Sequence, residues 1–301
     1  MYHRLLVPLD GSLLAEAVLP IVERIAPAYG ATVLLLHVIE RGAPATVHGE
    51  THLQAAGAAA AYLDTVALRL RAQGIAVETH AHEAPEGDVA RSIATHAQEE
   101  HADLIVLCTH GSGGIRDLLF GSIAQQVLKH GAVPVLLARP AATGAAPPFR
   151  PRRILVALDA TAAAEEALAP AQEMARRLGA TLHLVMVVAT LTTTQGKRHA
   201  LAQALPTATR ALLDLEEEEA RRYLEAAAGR LSTDDLTVTT EVRRGDTSTV
   251  LADEAAEPGV GLVVLATHGR AGVQAIWGAS VTARLLGRTR APLLLLRTLD
   301  R

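Results

Sequence analysis

Aromatic residues are scarce in this chain. Phe, Tyr and Trp together make up 2% of 301 residues, although half of the residues are hydrophobic. The core must therefore be aliphatic, built from Ala, Val, Leu and Ile. Cysteine is nearly absent too. The single Cys108 excludes an intrachain disulfide and fits a reducing compartment. Charge of one sign is also lacking, because 28 Lys and Arg face 32 Asp and Glu for a net charge of −4. That balance gives no electrostatic reason to expect a nucleic-acid partner. No apolar run approaches the roughly 18 residues needed to span a bilayer, so no membrane partner is expected. The opening "MYHRLLVPLD" has only a short apolar stretch, which argues against a signal peptide. A cytoplasmic location is the expectation.

What is present is an internal repeat. "RLLVPLDGS" from Arg4 matches "RILVALDAT" from Arg153, and "GATVLLLHVI" from Gly30 matches "GATLHLVMVV" from Gly179, both at an offset of 149. Further along, "LIVLCTHGSGGIRDLLFGSIAQQVL" from Leu104 matches "LVVLATHGRAGVQAIWGASVTARLL" from Leu262, now at an offset of 158. The nine extra residues of the second copy fall between Val188 and Gly245, in or near "TLTTTQGKRHALAQALPTATR". The join "RPAATGAAPPFRP" has no periodicity and reads as a linker. Two homologous domains are expected, over 1–140 and 151–298, with 141–150 between them.

Within each copy, short aliphatic runs alternate with helical patterns. Leu5–Leu9 and Val33–Ile39 read as strands buried on both faces, and Ile75–Ala81, Leu104–Cys108 and Val133–Ala138 as further strands. Helices are expected around Val18–Ile25, from about His52 to Gln73, over Val89–Glu99 and from Ser122. Pro20 and Pro170 should kink their helices, and Gly30 and Gly179 should end them. This alternation predicts an α/β fold of two doubly wound domains, each a five-stranded parallel sheet flanked by helices. The closing runs "VPVLLAR" and "APLLLLR" begin with Pro134 and Pro292, which suits edge strands. Ligands on such sheets bind at the carboxyl ends of strands, where strand order reverses.

The expected strand ends carry the chemistry. The first strand ends in Asp10-Gly11-Ser12, where a carboxylate serves either as a helix cap or as an acceptor for a base or ribose. The second ends in His37-Val38-Ile39, an apolar wall for a flat ring. The fourth runs into Thr109-His110-Gly111, whose glycines let backbone N–H groups converge on an anion. Ser122 then opens a helix, as a cap or as a phosphate site.

These segments resemble the universal stress protein family, here as a tandem pair, over nearly the whole chain. The family's nucleotide-binding members carry Gly, two residues, Gly, nine residues, then Gly-Ser or Gly-Thr. On this chain the pattern falls on Cys108, Gly111, Gly121 and Ser122, and again on Ala266, Gly269, Ala279 and Ser280. The resemblance implies an adenine nucleotide, ATP or AMP with Mg²⁺ as a companion, in a stress-response module. Pro8, Leu9, Asp10, Gly11 and Val38 would face the nucleoside. His110, Gly111, Gly121, Ser122 and Ile123 would hold the phosphates. Asp159, Val187, Gly269, Ser280 and Val281 form the second set, expected to be weaker because Ala266 and Ala279 replace glycines. A homodimer or an intramolecular pseudo-dimer is implied as well.

No catalytic set accompanies this pattern. GxxxxGK[ST], GxSxG and HExxH are all missing from the sequence. A slow ATP hydrolase and a nucleotide-free dimerisation protein are the alternative functions. His80 and His82 alternate on a strand, and the solvent-facing reading is preferred, so no metal is expected there.

Overall fold

The computed structural model describes residues 1–42, 46–47, 50–51, 53–85, 88–109, 122–140, 148–194, 196–267, 285 and 288–297. These residues fall into two compact units, Met1–Arg150 with Pro292–Arg297, and Pro151–Ala291.

The first unit is built on β1 (Arg4–Pro8), β2 (Thr32–Glu40), β5 (Ala76–Ala84), β6 (Leu104–Cys108) and β7 (Val135–Ala138). A two-residue pair, β3 (Thr46–Val47) and β4 (Glu50–Thr51), lies in the connection after β2. The five long strands run parallel in the order β5-β2-β1-β6-β7. The chain thus leaves β1 in one direction and returns to continue on its other side. The reversal between β1 and β6 is the switch point at which such sheets bind ligands. Helices α1 (Leu19–Tyr29), α2 (Ala56–Arg71), α3 (Val89–Glu99) and α4 (Ser122–His130) connect the strands.

The second unit repeats the plan with β8 (Arg153–Leu158), β9 (Thr181–Val188), β10 (Val238–Arg244) and β11 (Val260–Thr267), parallel in the order β10-β9-β8-β11. Its helices are α5 (Ala162–Glu165), α6 (Leu168–Leu178), α7 (Lys197–Ala204), α8 (Pro206–Leu231) and α9 (Thr247–Ala256). The last strand, β12 (Leu293–Arg297), belongs to the first unit and runs antiparallel to β7 within it, with Leu293 opposite Leu137.

The central strands explain the aliphatic composition. Leu5, Leu6 and Val7 are fully buried, as are their counterparts Ile154, Leu155 and Val156. Gly30 and Gly179 both close their helices in the left-handed conformation, at φ +62° and +68°. The following N–H groups of Ala31 and Ala180 then reach back to Ala26 and Ala175.

Several boundaries differ from the sequence reading. The helix expected from His52 begins at Ala56, and the strand expected to end at Ala81 continues to Ala84. β7 starts at Val135 rather than Val133, because Pro134 has no N–H to place in the ladder that opens at Val135 opposite Ile105. Pro20 and Pro170 were expected inside their helices. Each sits instead in the first turn of α1 or α6, where a missing N–H costs no hydrogen bond. Preceding each is a separate short element, a 3₁₀ turn at Ala15–Val18 and α5, so the chain bends between two helices rather than within one.

One repeated contact escaped the sequence reading. Glu16 accepts from Tyr62 at 3.2 Å and from Arg69 at 2.7 Å. Glu165 accepts from Tyr223 at 2.9 Å and from Arg230 at 3.2 Å. Each trio ties the long helix to the turn after the first strand. Tyr223 follows Tyr62 by 161 residues, so the second copy gains residues between Val188 and Tyr223 and loses a few after it. Most of the gain lies in α8, which begins well before Tyr223, whereas α2 begins shortly before Tyr62.

Candidate functional site

The site begins with a turn. In the second unit Asp159 follows β8, and its Oδ1 accepts the backbone N–H of Thr161 at 3.0 Å and the Thr161 hydroxyl at 2.6 Å. The Thr161 oxygen in turn accepts from Ala164 N at 3.2 Å and caps α5. The first unit repeats every link. Asp10 Oδ1 accepts from Ser12 N at 2.9 Å and Ser12 Oγ at 2.6 Å, and Ser12 Oγ accepts from Ala15 N at 3.1 Å. Thr161 is therefore the cap of α5, Ser12 makes the equivalent bond to Ala15 ahead of the next turn, and each aspartate orients that hydroxyl. The turn needs a left-handed residue between them. Gly11 takes φ +91° and Ala160 φ +62°. A Cβ on Gly11 would stand 2.8 Å from Leu53 Cδ1, whereas Ala160 lines an open cleft.

That cleft, of about 710 Å³, lies over the carboxyl ends of β8 and β9. Asp159 and Ala160 form its floor with Met186, Val187 and Val188, and Gly245, Asp246 and Thr247 close one side. A smaller cavity of about 190 Å³ continues inward past Asp159, Val187 and Thr247 to Leu265 and Ala266 on β11. Asp246 is itself tied down, because its Oδ1 caps α9 through Thr249 N at 3.0 Å and also accepts the Ser248 hydroxyl. The outer wall comes from the connection between β9 and α8 and from α8 itself. Thr193 donates to Gly245 O at 3.2 Å, and Arg198 pairs with Glu216 at 3.0 Å. Tyr223 also faces the cleft, and burial followed by the Glu165 charge raises its phenol well above the ordinary range. Among the described residues, Asp159, Asp246, Glu216 and Glu219 line the cleft together with the guanidinium of Arg198. Carboxylates of that kind accept hydrogen bonds from hydroxyl and amino groups or hold a cation.

In the first unit the corresponding strand ends converge in the same way. Val38 stands near the end of β2, and Leu9 N donates to Leu36 O at 2.8 Å. His37 is buried, with Nδ1 2.7 Å from Leu9 O and Nε2 3.1 Å from Leu53 O, so it ties the segment after β4 across the end of β1. Cys108 ends β6 close enough to Asp10 to feel its charge. Burial, with that charge adding, pushes the thiol up to about 12. Burial and the nearby carboxylate both argue against a low-pKa nucleophile at this position.

Of the sequence-derived residues, Pro8, Leu9, Asp10, Gly11 and Val38 gather at the switch point of the first unit, and Asp159 and Val187 at that of the second. Ser122 and Ile123 open α4 as expected. His110, Gly111, Gly121, Gly269, Ser280 and Val281 lie outside the described residues. The sequence reading missed Thr193, Arg198, Glu216, Glu219, Tyr223, Asp246 and Thr247. The available signal was the extra length between Val188 and Gly245, together with the Gly-Asp pair that opens the helix after β10.

The family model for the universal stress protein family matches residues 1–139 and again 151–297. The chain belongs to this family. Its fold is that of two homologous Rossmann-like α/β domains in tandem. Curated relatives align to a single repeat. Universal stress protein MJ0531 of Methanocaldococcus jannaschii is 30% identical over 146 residues, covering 46% of this chain and 83% of its own length. Universal stress protein YxiE of Bacillus subtilis is 24% identical over 151 residues, covering 46% of this chain and all of its own. A crystal structure of a universal stress protein from Archaeoglobus fulgidus matches the full tandem. It has a TM-score of 0.69 at 18% identity, covering 99% of this chain and 97% of that one. Among the described residues no helix is long and apolar enough to cross a membrane.

Proposed function

We propose that this universal stress protein binds an adenine nucleotide, ATP or AMP, at the carboxyl ends of its strands and acts through conformation or a partner rather than turnover. The observation that carries this reading is the cleft over Asp159 and Val187, which pairs a fixed carboxylate with an apolar strand end at a topological switch point. Its acidic lining suits the nucleoside end, where ribose hydroxyls and an exocyclic amine are donors. The phosphates would extend past β11 toward the Gly269–Ser280 segment, and in the first unit toward Gly111 and Ser122. Mg²⁺ would serve as their counter-ion. The first site is expected to bind more tightly, because it keeps Gly11, Gly121 and Ser122 where the second has Ala160, Ala279 and Ser280. Mass spectrometry of denatured, freshly purified protein tests the reading, with co-purified ATP or AMP the expected result. Protein that carries no nucleotide and takes up none from millimolar ATP would overturn it.

A further inference from the structure

Three histidines meet at the edge of the first sheet. Among the described residues β5 is the outermost strand there, and side-chain alternation puts His80 and His82 on one of its faces. His96, buried on α3, reaches the same place. His96 Nδ1 lies 2.8 Å from the carbonyl of Ser92 one turn back, and a carbonyl only accepts, so Nδ1 carries the proton. The lone pair is therefore on Nε2, which is 3.2 Å from His80 Nε2. The His82 ring stands edge-on to His96 with centroids 4.4 Å apart. One ring nitrogen from each of the three lies within 4.8 Å of the others.

The simpler reading is a hydrogen bond from His80 to His96 with His82 packed beside it. Two features exceed what that reading requires. Zinc–nitrogen bonds of 2.0–2.1 Å imply a tetrahedral ligand–ligand spacing of about 3.3 Å, and the His80–His96 nitrogens already stand 3.2 Å apart. The buried ligand is also oriented through its second nitrogen by a fixed oxygen, as metal-binding histidines usually are. Burial and then the neighbouring His96 and His82 lower the His80 pKa. A second trio, His183, Glu241 and Glu254, differs in an instructive way. There Arg243 already occupies the cation position, 3.0 Å from Glu241 and 2.6 Å from Glu254.

The geometry points to His80, His82 and His96 as a site for a first-row transition-metal ion, Zn²⁺ fitting best, with a fourth position open to water. Binding displaces the His80–His96 hydrogen bond as the Nε2 proton of His80 moves to Nδ1, and a small rotation brings His82 into the shell. Sequence spacing alone pairs His80 with His82 but hides His96, which arrives from a different element.

The test uses the full, untagged chain stripped with EDTA, titrated first with Co²⁺ and then with Zn²⁺. One equivalent should bind, with the visible absorption of low-coordinate cobalt that Zn²⁺ then abolishes. His80→Gln and His82→Gln should each weaken binding by about tenfold or more, while the exposed control His130→Gln should leave it unchanged. Neither β5 substitution removes a fully buried side chain, so folding is monitored by circular dichroism and is expected to persist. Absence of saturable one-to-one binding would overturn the site, as would wild-type affinity in both β5 variants. No residue of the trio lines the cleft of the second unit, so loss of metal binding leaves the nucleotide reading there untouched.

Discussion

Asp159 and Thr161 are joined twice through one oxygen, with Oδ1 accepting both the backbone N–H and the hydroxyl of Thr161. Asp10 and Ser12 repeat the arrangement. The aspartate thereby holds the hydroxyl that caps the next helix, and its carboxylate is held in a fixed position at the strand end. A single turn thus serves stability and also places an acceptor for a ligand. The two roles respond to different substitutions.

Thr161→Ala removes the cap and one of the two bonds to Asp159. A loss of about 1 kcal/mol is expected, read as a lower urea midpoint with an unchanged slope. Thr161→Ser should restore nearly all of it. Equal stability of the alanine variant and the parent would show that the cap contributes nothing.

The residue between aspartate and cap should behave oppositely in the two units. Gly11→Ala forces an L-residue to φ +91° and sets a Cβ against Leu53, so it should destabilise by about 1 kcal/mol or more. Ala160 already bears that strain at φ +62° beside open space, so Ala160→Gly should be neutral or stabilising by up to about 1 kcal/mol. Thermal melts of both variants decide the matter. Two losses of similar size would contradict the account.

The duplicated motif and the alternation of aliphatic runs with helices made the architecture legible before any coordinates. The placement of Asp10 and Val38 at strand ends was legible too, and the resemblance carried it over to Asp159 and Val187. The proline effects were not, since a proline marks a first turn as readily as a kink, and only the short elements before α1 and α6 distinguish the two. The outer wall of the cleft was hidden for another reason. Arg198 and Thr193 sit between β9 and α8, where the two copies share no sequence pattern, so the repeat gave them no register. His96 needed the packing of α3, which no local pattern encodes.

Cys108 provides a pH test. Its folded thiol titrates near 12, above the unfolded value, so between about pH 9 and 12 the unfolded chain binds fewer protons than the folded one. Stability should therefore fall as pH rises through that window, and Cys108→Ala should flatten the fall. At pH 8 the native thiol should react with a disulfide reagent only at the rate of unfolding. Rapid labelling of native protein would contradict both the burial and the raised pKa.

His80 predicts the opposite slope on the acid side. Its folded pKa is lowered, first by burial and then by His96 and His82, with Glu99 and Glu100 opposing. Below the ordinary histidine value the unfolded chain binds more protons, so stability should fall as pH drops below about 6.5. Melting temperatures of metal-free protein at pH 7.5 and 5.5, compared with His80→Gln, would show this as a smaller acid loss in the variant.

Calorimetric titration of the full chain with ATP, using turn-preserving substitutions, reaches the central claim. Asparagine keeps the oxygen that accepts from Ser12 or Thr161, so Asp10→Asn and Asp159→Asn should fold and melt like the parent. Each also removes the charge that strengthens a hydrogen bond to the nucleoside. The double variant is predicted to lose about tenfold or more in ATP affinity, a change of roughly 1.4 kcal/mol. A double variant that binds ATP as tightly as the parent would contradict the nucleotide site at these strand ends.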